Sequence, residues 1–285
     1  MNKSLFSDLY YKVFRSGNPL YLFIGINVLV FLVLNLMAAF EFLFTRSTSH
    51  ADWLTLQVSM PSYLPALPYK FWTVLTYMFS HRGLFHIVFN MLWLYWLGQI
   101  FLDFLNNRQF IFTYLAGGFA GALLFVAFYN LFPAFSNTVQ LSTLIGASAS
   151  VMAVVAATAT LVPDYTIQLL FLGPVRLKYL AIVYFVLDVL GIAGANPGGS
   201  IAHIGGALLG FVFIKQLQKG NDWSKIFQKK SKLRVVKKSS NTVKNTRLPD
   251  QDVIDRILDK ISKSGYESLS KAEKEQLFKA SKKND

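Results

Sequence analysis

Six long apolar runs, separated by short polar segments, occupy the first 217 residues of the chain. A helix needs about 20 mostly apolar residues to cross a membrane. The runs lie at roughly 19–40, 84–105, 110–132, 147–162, 177–193 and 200–217, and the fourth of them is short. The pattern predicts an all-α membrane protein with six transmembrane helices over residues 19–217, preceded by a short N-terminal segment, residues 1–18.

The segment between the first and second runs, residues 41–82, contains many aromatic side chains. Tryptophan and tyrosine are typical of the boundary between membrane and water. We therefore expect an ordered loop that lies partly at the membrane surface, rather than a plain linker.

The chain after the last run is polar and basic. Residues 218–248 are rich in Lys, Ser and Asn, a composition that predicts a flexible linker. Residues 249–285 predict a small helical hairpin, since Val253, Ile254 and Ile257 share one helical face. Gly265 ends that helix, and Ser270 with Glu273 forms a possible capping box for the next.

Composition separates the apolar body from a basic tail. Hydrophobic residues make up 53% of the chain and charged residues 15%, against about 25% charged in soluble domains. Residues 211–285 hold 19 lysines and arginines against 9 acidic residues, a net of +10. This is most of the chain's net charge of +13. This composition argues against a soluble globular enzyme. We expect the tail to attract anionic lipid rather than nucleic acid, because no aromatic side chains interleave its basic residues.

The distribution of basic residues predicts the orientation. Lysine and arginine favour the cytoplasmic side of a membrane. They precede the first span, lie between spans two and three and between spans four and five, and fill the tail. Arg46, Lys70 and Arg82 in the first loop oppose this pattern but are outweighed. The expectation is two cytoplasmic termini in a bacterial plasma membrane, with no cleaved signal peptide because the first run is too long.

Four polar side chains share one depth in the predicted bundle. His86 and Asn90 lie one turn apart in span two, Ser148 opens span four, and His203 lies near the start of span six. Even-numbered spans start from the same side, so a rise of about 1.5 Å per residue places all four within roughly 10 Å of the outer boundary. Polar residues inside a membrane usually face the bundle interior and mark function.

This layer contains the groups needed for acyl transfer. A serine hydroxyl becomes nucleophilic when a base takes its proton, and His203 is the candidate base for Ser148. The Ser148 amide and the side chains of His86 and Asn90 are candidate donors to an oxyanion. The absence of cysteine excludes a thiolate nucleophile, disulfides and cysteine-ligated metals, and the chemistry requires no cofactor or metal.

Small residues predict that the nucleophile and the base come close together. Gly206 and Gly210 follow His203, while Ala149 and Ala153 follow Ser148, both at a spacing of four residues. Such faces allow helix backbones to approach closely in lipid.

Three motifs in this order resemble those of the rhomboid intramembrane serine proteases. They are His-Ile-Val-Phe-Asn at residues 86–90, Gly-Ala-Ser at 146–148, and Ala-His-Ile-Gly-Gly at 202–206. The resemblance covers roughly residues 15–215. It implies a rhomboid-like bundle with a Ser148–His203 dyad, an oxyanion hole of His86, Asn90 and the Ser148 amide, and cleavage of transmembrane proteins near the outer face. It also implies a small residue before the scissile bond.

The sequence departs from the family pattern at several positions. Ala149 replaces the usual second glycine of the nucleophile motif, and Met152 stands where many relatives have a tyrosine that stacks on the catalytic histidine. Trp72 is followed by Thr73 instead of the frequent arginine. Asp188 lies near the depth of the dyad, and two roles stay open for it: orientation of His203 as a third member, or a purely structural role, which the family's dyad favours.

The sequence therefore predicts an intramembrane serine endopeptidase whose partners are transmembrane substrates and membrane lipids. The main alternative is a catalytically silent rhomboid-like protein that binds membrane clients. A small transporter is a weaker alternative, because its polar groups would lie nearer the centre of the membrane. We expect span five and the fifth loop, residues 196–200, to form the substrate gate, with Gly198 and Gly199 allowing motion.

Overall fold

The computed structural model describes residues 5–169, 173–226 and 251–281, and the chain divides into two compact units, residues 1–228 and 229–285. The described part is mostly helical. Its helices are α1 Leu5–Tyr10, α2 Pro19–Thr45, α3 Ser49–Val58, α4 Thr73–Thr76, α5 Leu84–Phe104, α6 Asn107–Leu131, α7 Ser148–Leu161, α8 Leu177–Gly191, α9 Pro197–Gln218, α10 Gln251–Ser264 and α11 Lys271–Ser281. Its strands are β1 Met60–Pro61, β2 Thr143–Leu144, β3 Thr166–Leu169 and β4 Gly173–Arg176.

Among the described residues, four helices, rather than the six expected, are long and apolar enough to cross a membrane: α2, α5, α6 and α9. The fourth and fifth apolar runs do form helices, α7 and α8, but these have only 14 and 15 residues. At about 1.5 Å per residue each extends for little more than 20 Å, short of a hydrocarbon core of about 30 Å. The prediction of six full spans is therefore supported only for four of them.

Helix α7 lies at the centre of the first unit, and ten of its 14 residues are buried. It contacts α9 and α6 most extensively and also packs on α5 and α8. A Cβ added to Gly206 would lie 2.0 Å from the Ala149 carbonyl oxygen, and one added to Gly210 would lie 2.1 Å from that of Ala153. The backbones of α7 and α9 thus touch, as the small-residue faces predicted.

The loop between α2 and α5 is ordered, as its aromatic content predicted. It contains α3, α4 and two 3₁₀ turns, Leu64–Lys70 and Tyr77–Phe79. Strand β1 pairs antiparallel with β2, which joins this loop to the segment just before α7. The Tyr77 hydroxyl donates to the Gly118 carbonyl over 2.6 Å, so the loop is also fixed to α6.

Two further features were not expected from the sequence. Strands β3 and β4 form an antiparallel hairpin between α7 and α8. Residues 219–226, the start of the predicted flexible linker, form a 3₁₀ turn at Trp223–Lys225, and Asp222 in this segment lies 2.9 Å from Arg108 at the start of α6. The remaining predicted linker residues, 227–248, lie outside the described residues.

The second unit, in its described part, consists of α10, a 3₁₀ turn at Tyr266–Ser268, and α11. Ile257 and Leu269 are its buried apolar residues. The Glu273 carboxylate accepts the Ser270 amide hydrogen over 2.7 Å and lies 3.0 Å from the Lys260 ammonium. These two contacts lower the pKa of Glu273 to about 2, so the carboxylate stays ionised well below its usual range.

Candidate active site

One cavity of about 620 Å³ lies between α5, α7, α8 and α9. It contains all four side chains that the sequence placed in one layer: His86, Asn90, Ser148 and His203. Asp188 of α8 lines the same cavity. His86 is the third residue of α5, Ser148 the first of α7, and His203 the seventh of α9, so the cavity lies toward the end of the bundle where these helices begin.

Ser148 is positioned by a tight backbone segment that precedes α7. Gly146 has a φ of 130°, a conformation that L side chains rarely adopt. Its amide donates to the Tyr77 carbonyl over 2.9 Å, and the next amide, that of Ala147, donates to His81 Nε2 over 3.3 Å. Both contacts fix the entry into α7 to the ordered first loop, and with it the location of the Ser148 hydroxyl.

The first turn of α7 supplies backbone donors at the same place. The first amide groups of a helix have no carbonyl partner within the helix. They also carry the partial positive charge of the helix N-terminus, which favours a developing negative charge. Ser148 begins α7, so its own amide is available to an oxyanion formed beside its hydroxyl.

His86 and Ser148 face the same small space beside Gly146. A Cβ built on Gly146 would lie 2.9 Å from His86 Nε2 and 3.7 Å from Ser148 Oγ. Any side chain at residue 146 would therefore collide with the His86 ring. Glycine is required here both by backbone conformation and by the approach of His86.

Asn90 is buried one turn deeper on α5. Its Nδ2 donates one hydrogen bond to the His86 carbonyl over 2.8 Å. An amide nitrogen carries two hydrogens, so the second one remains for a ligand in the cavity. Asn90 thus has the donor capacity that its predicted oxyanion role requires.

His203 forms a hydrogen bond with Asp188, the residue whose role the sequence left undecided. His203 Nδ1 and Asp188 Oδ1 are 2.8 Å apart, and the side chains are 26% and 13% exposed. The contact engages Nδ1 and leaves Nε2 as the ring nitrogen for proton exchange. Asp188 Oδ2 is buried without a hydrogen-bond partner among the described residues.

The Ser148 hydroxyl forms no hydrogen bond with His203 or with any other described residue, although both line the cavity. Hydrogen bonds between a nucleophile and its base are often long in the absence of substrate and shorten in the bound complex. The cavity therefore holds the Ser148 and His203 side chains without a direct hydrogen bond between them.

His81 packs behind His86 and contacts the segment before α7. It is 1% exposed, and its ring meets the His86 ring edge-on, with centroids 4.9 Å apart. Residues that sequence reasoning did not single out also line the cavity, among them Trp93, Tyr184 and Leu187. Only the pairing of helices in space brings these to the site, so no local pattern identified them.

The start of α9 is well packed in this structure. Asn196 caps this helix by accepting the Gly199 amide hydrogen over 3.1 Å. Gly198 and Gly199 are buried within the first turn, where Gly198 packs against Phe125. The two glycines thus allow close packing here, and a gate at residues 196–200 stays a prediction.

Curated relatives match the central part of the chain. Presenilin-associated rhomboid-like protein A, mitochondrial, of Danio rerio is 32% identical over 140 residues, 48% of this chain and 35% of that protein. RHOMBOID-like protein 12, mitochondrial, of Arabidopsis thaliana is 30% identical over 158 residues, 52% of this chain and 47% of that protein. The chain thus aligns with less than half the length of each of these relatives.

The predicted location in a bacterial plasma membrane, with cytoplasmic termini, is wrong by this comparison, because these relatives are named as mitochondrial proteins. The prediction came from the distribution of basic residues. That distribution indicates which loops share a side of the membrane, but it carries no information about which membrane is involved. The membrane-embedded helices are unaffected by this correction.

Two family models match separate parts of the chain. A family of unknown function, DUF6576, matches residues 241–283. The Rhomboid domain model matches residues 68–219, just over half of the chain, and this stretch includes the whole cavity with Ser148 and His203. The chain belongs to the rhomboid family.

Proposed function

We propose that the protein is an intramembrane serine endopeptidase that cleaves transmembrane proteins. The observation that carries this proposal is the single cavity in which Ser148, His203, His86 and Asn90 meet beside the N-terminus of α7. The alternative is a catalytically silent rhomboid-like protein that binds membrane clients. The presence of both a serine and a histidine in one polar cavity favours the enzyme.

In the proposed mechanism, Ser148 attacks the carbonyl carbon of the scissile bond. His203 Nε2 takes the hydroxyl proton as the new C–O bond forms. The negative charge that develops on the carbonyl oxygen accepts hydrogen bonds from the Ser148 amide, His86 and the free hydrogen of Asn90. When the C–N bond breaks, His203 donates its proton to the leaving amine and an acyl-enzyme remains.

Water then hydrolyses the acyl-enzyme, with His203 again acting as base. Hydrolysis requires water inside a membrane-embedded protein, and the position of the cavity near the start of α5, α7 and α9 favours access from that side. Cleavage would accordingly take place near the membrane face at which these helices begin. The names of the relatives favour a mitochondrial membrane as the location.

We assign Asp188 the role of orienting His203. Its 2.8 Å contact with Nδ1 fixes the tautomer in which Nε2 is free to accept a proton. A carboxylate in this position also stabilises the imidazolium that forms during attack, as in other serine hydrolases. Asp188 would act through His203 without touching the substrate.

Helix α8 provides the route by which a transmembrane substrate would enter. Among its residues only Leu177 and Leu180 are buried, while most of its apolar side chains are exposed. Tyr184, Leu187 and Asp188 of α8 line the cavity opposite the α5 residues Phe89 and Trp93. Few residues of α8 are buried, so movement of this helix would open the cavity to a transmembrane segment of a substrate in the lipid.

The test is cleavage of a single-span substrate by purified protein in liposomes. We expect wild type to cleave it, and Ser148→Ala and His203→Ala to be inactive. Ser150→Ala is the matched control, because Ser150 lies in the same first turn of α7 but is buried, with its hydroxyl directed at the Met78 sulfur. Equal cleavage by wild type and Ser148→Ala would refute the proposal, and so would complete inactivity of a folded wild type toward a panel of such substrates.

A further inference from the structure

Arg82 places an unpaired positive charge on the wall of the cavity that contains Ser148. It lies just before Gly83, the residue that caps α5. Its side chain is exposed and makes no hydrogen bond or ion pair with any residue in the described ranges. A guanidinium group has five donors in a planar fork, and here none of them is used within the chain.

No carboxylate forms an ion pair with Arg82 among the residues that line the cavity. The other charged side chain there is Asp188, whose Oδ1 is bound to His203. Much of the remaining wall is apolar, with Phe89, Trp93 and Met152 among its members.

The backbone that carries Arg82 is fixed relative to the nucleophile. His81, the preceding residue, is buried and accepts the amide hydrogen of Ala147, which itself precedes Ser148. Residue 84 begins α5, whose first two turns carry His86 and Asn90. The backbone position of Arg82 on the cavity wall is therefore set by the same contacts that set the position of the Ser148 hydroxyl.

We propose that Arg82 is a specificity-determining residue that selects substrates with an aspartate or glutamate within a few residues of the scissile bond. Arginine pairs with a carboxylate through two parallel hydrogen bonds, which gives both energy and geometric selection. This inference rests on the proposed protease function. A contact between Arg82 and a lipid phosphate is the competing explanation for its free charge.

The experiment compares substrates that differ at one position. A single-span substrate carries Asp, Asn or Lys at each position in turn within four residues of the cleavage site, and kcat/KM is measured in neutral detergent and in liposomes. Wild type should prefer Asp over Lys by about 10-fold or more at one position at least, because Asp would gain a charge-assisted hydrogen bond where Lys would meet a like charge.

Arg82→Glu should reverse that preference at the same position, and Arg82→Gln should reduce the ratio to about 1. Arg46→Glu is the matched control, because Arg46 is an exposed arginine that follows α2 and does not line the cavity. It should keep the wild-type ratio. Each ratio compares two substrates in one enzyme preparation. A loss of folded enzyme lowers both rates equally and leaves the ratio unchanged.

A wild-type preference that survives in both Arg82 variants would overturn the inference, as would the absence of any preference at every position. If the Arg82 variants cleave all substrates equally more slowly than wild type in liposomes, but not in detergent, Arg82 contacts lipid. That result would also overturn the inference. These results are distinct from failure of the protease proposal, in which wild type shows no cleavage that depends on Ser148.

Discussion

The contact between α7 and α9 makes Gly206→Ala the most informative packing variant. The new Cβ would lie 2.0 Å from the Ala149 carbonyl oxygen and 2.9 Å from its carbonyl carbon. The closest comfortable approach of a carbon to a carbonyl oxygen is about 3.3 Å. The two helices must therefore separate by about 1 Å, because neither atom belongs to a flexible side chain.

This separation would act directly on the dyad. Gly206 follows His203 by three residues, and Ala149 is adjacent to Ser148. Overpacking of this kind costs about 1–3 kcal/mol, and a 1 Å misplacement of reacting groups can reduce a rate about 100-fold. We expect Gly206→Ala to lower kcat/KM by about that factor and to reduce the free energy of unfolding by about 2 kcal/mol.

The assay combines thermal unfolding in detergent with cleavage of a single-span substrate by the fraction that remains folded. Gly83→Ala is the control, because a Cβ at residue 83 meets nothing closer than the His86 Cβ at 3.9 Å. It should retain activity within a few-fold of wild type. If Gly206→Ala behaves like Gly83→Ala in both measurements, the close approach of α7 and α9 is not what positions the two catalytic groups.

Three further variants test other parts of the structure. Asp188→Asn removes the charge beside His203 and should lower kcat at least 10-fold with little change in KM, since Asp188 does not touch substrate; a KM effect alone would contradict this role. Gly146→Ala forces a side chain into a left-handed backbone and against His86, at a cost of about 1–3 kcal/mol. It should slow labelling of Ser148 by a fluorophosphonate at least 10-fold. An unchanged labelling rate would show that the reactivity of Ser148 does not require glycine at this turn. The Ser270 amide and Lys260 lower the pKa of Glu273 from 4.5 to about 2, so their stabilising effect is complete above about pH 4.5 and lost as pH falls toward 2. Hydrogen exchange of residues 271–281 in the full-length protein, corrected for intrinsic rates, should show this loss in wild type, whereas Glu273→Gln should be less protected already at pH 6; identical profiles would contradict the assignment.

The positions of the helices could be predicted because apolar composition determines them locally. The runs near 84–105 and 200–217 match α5 and α9 closely. The site could be predicted for a similar reason: residues near the starts of helices that enter from one side must share a depth, and His86, Ser148 and His203 do.

Features that depend on contacts between distant segments could not be predicted. Strands β1 and β2 have only two residues each and exist because they pair with one another. The contact of Asp188 with His203 depends on the rotation of α8, which no local pattern specifies. The ordering of residues 219–226 likewise depends on Arg108, more than 100 residues earlier in the chain.

The most direct test of the central claim is to identify the residue that reacts with a fluorophosphonate probe. Purified wild type is labelled, digested and mapped by mass spectrometry, in parallel with His203→Ala and Ser150→Ala. We predict an adduct on Ser148 in wild type and in Ser150→Ala, and no adduct in His203→Ala. No adduct on Ser148 in a folded wild type, or one that persists without His203, would contradict the Ser148–His203 dyad.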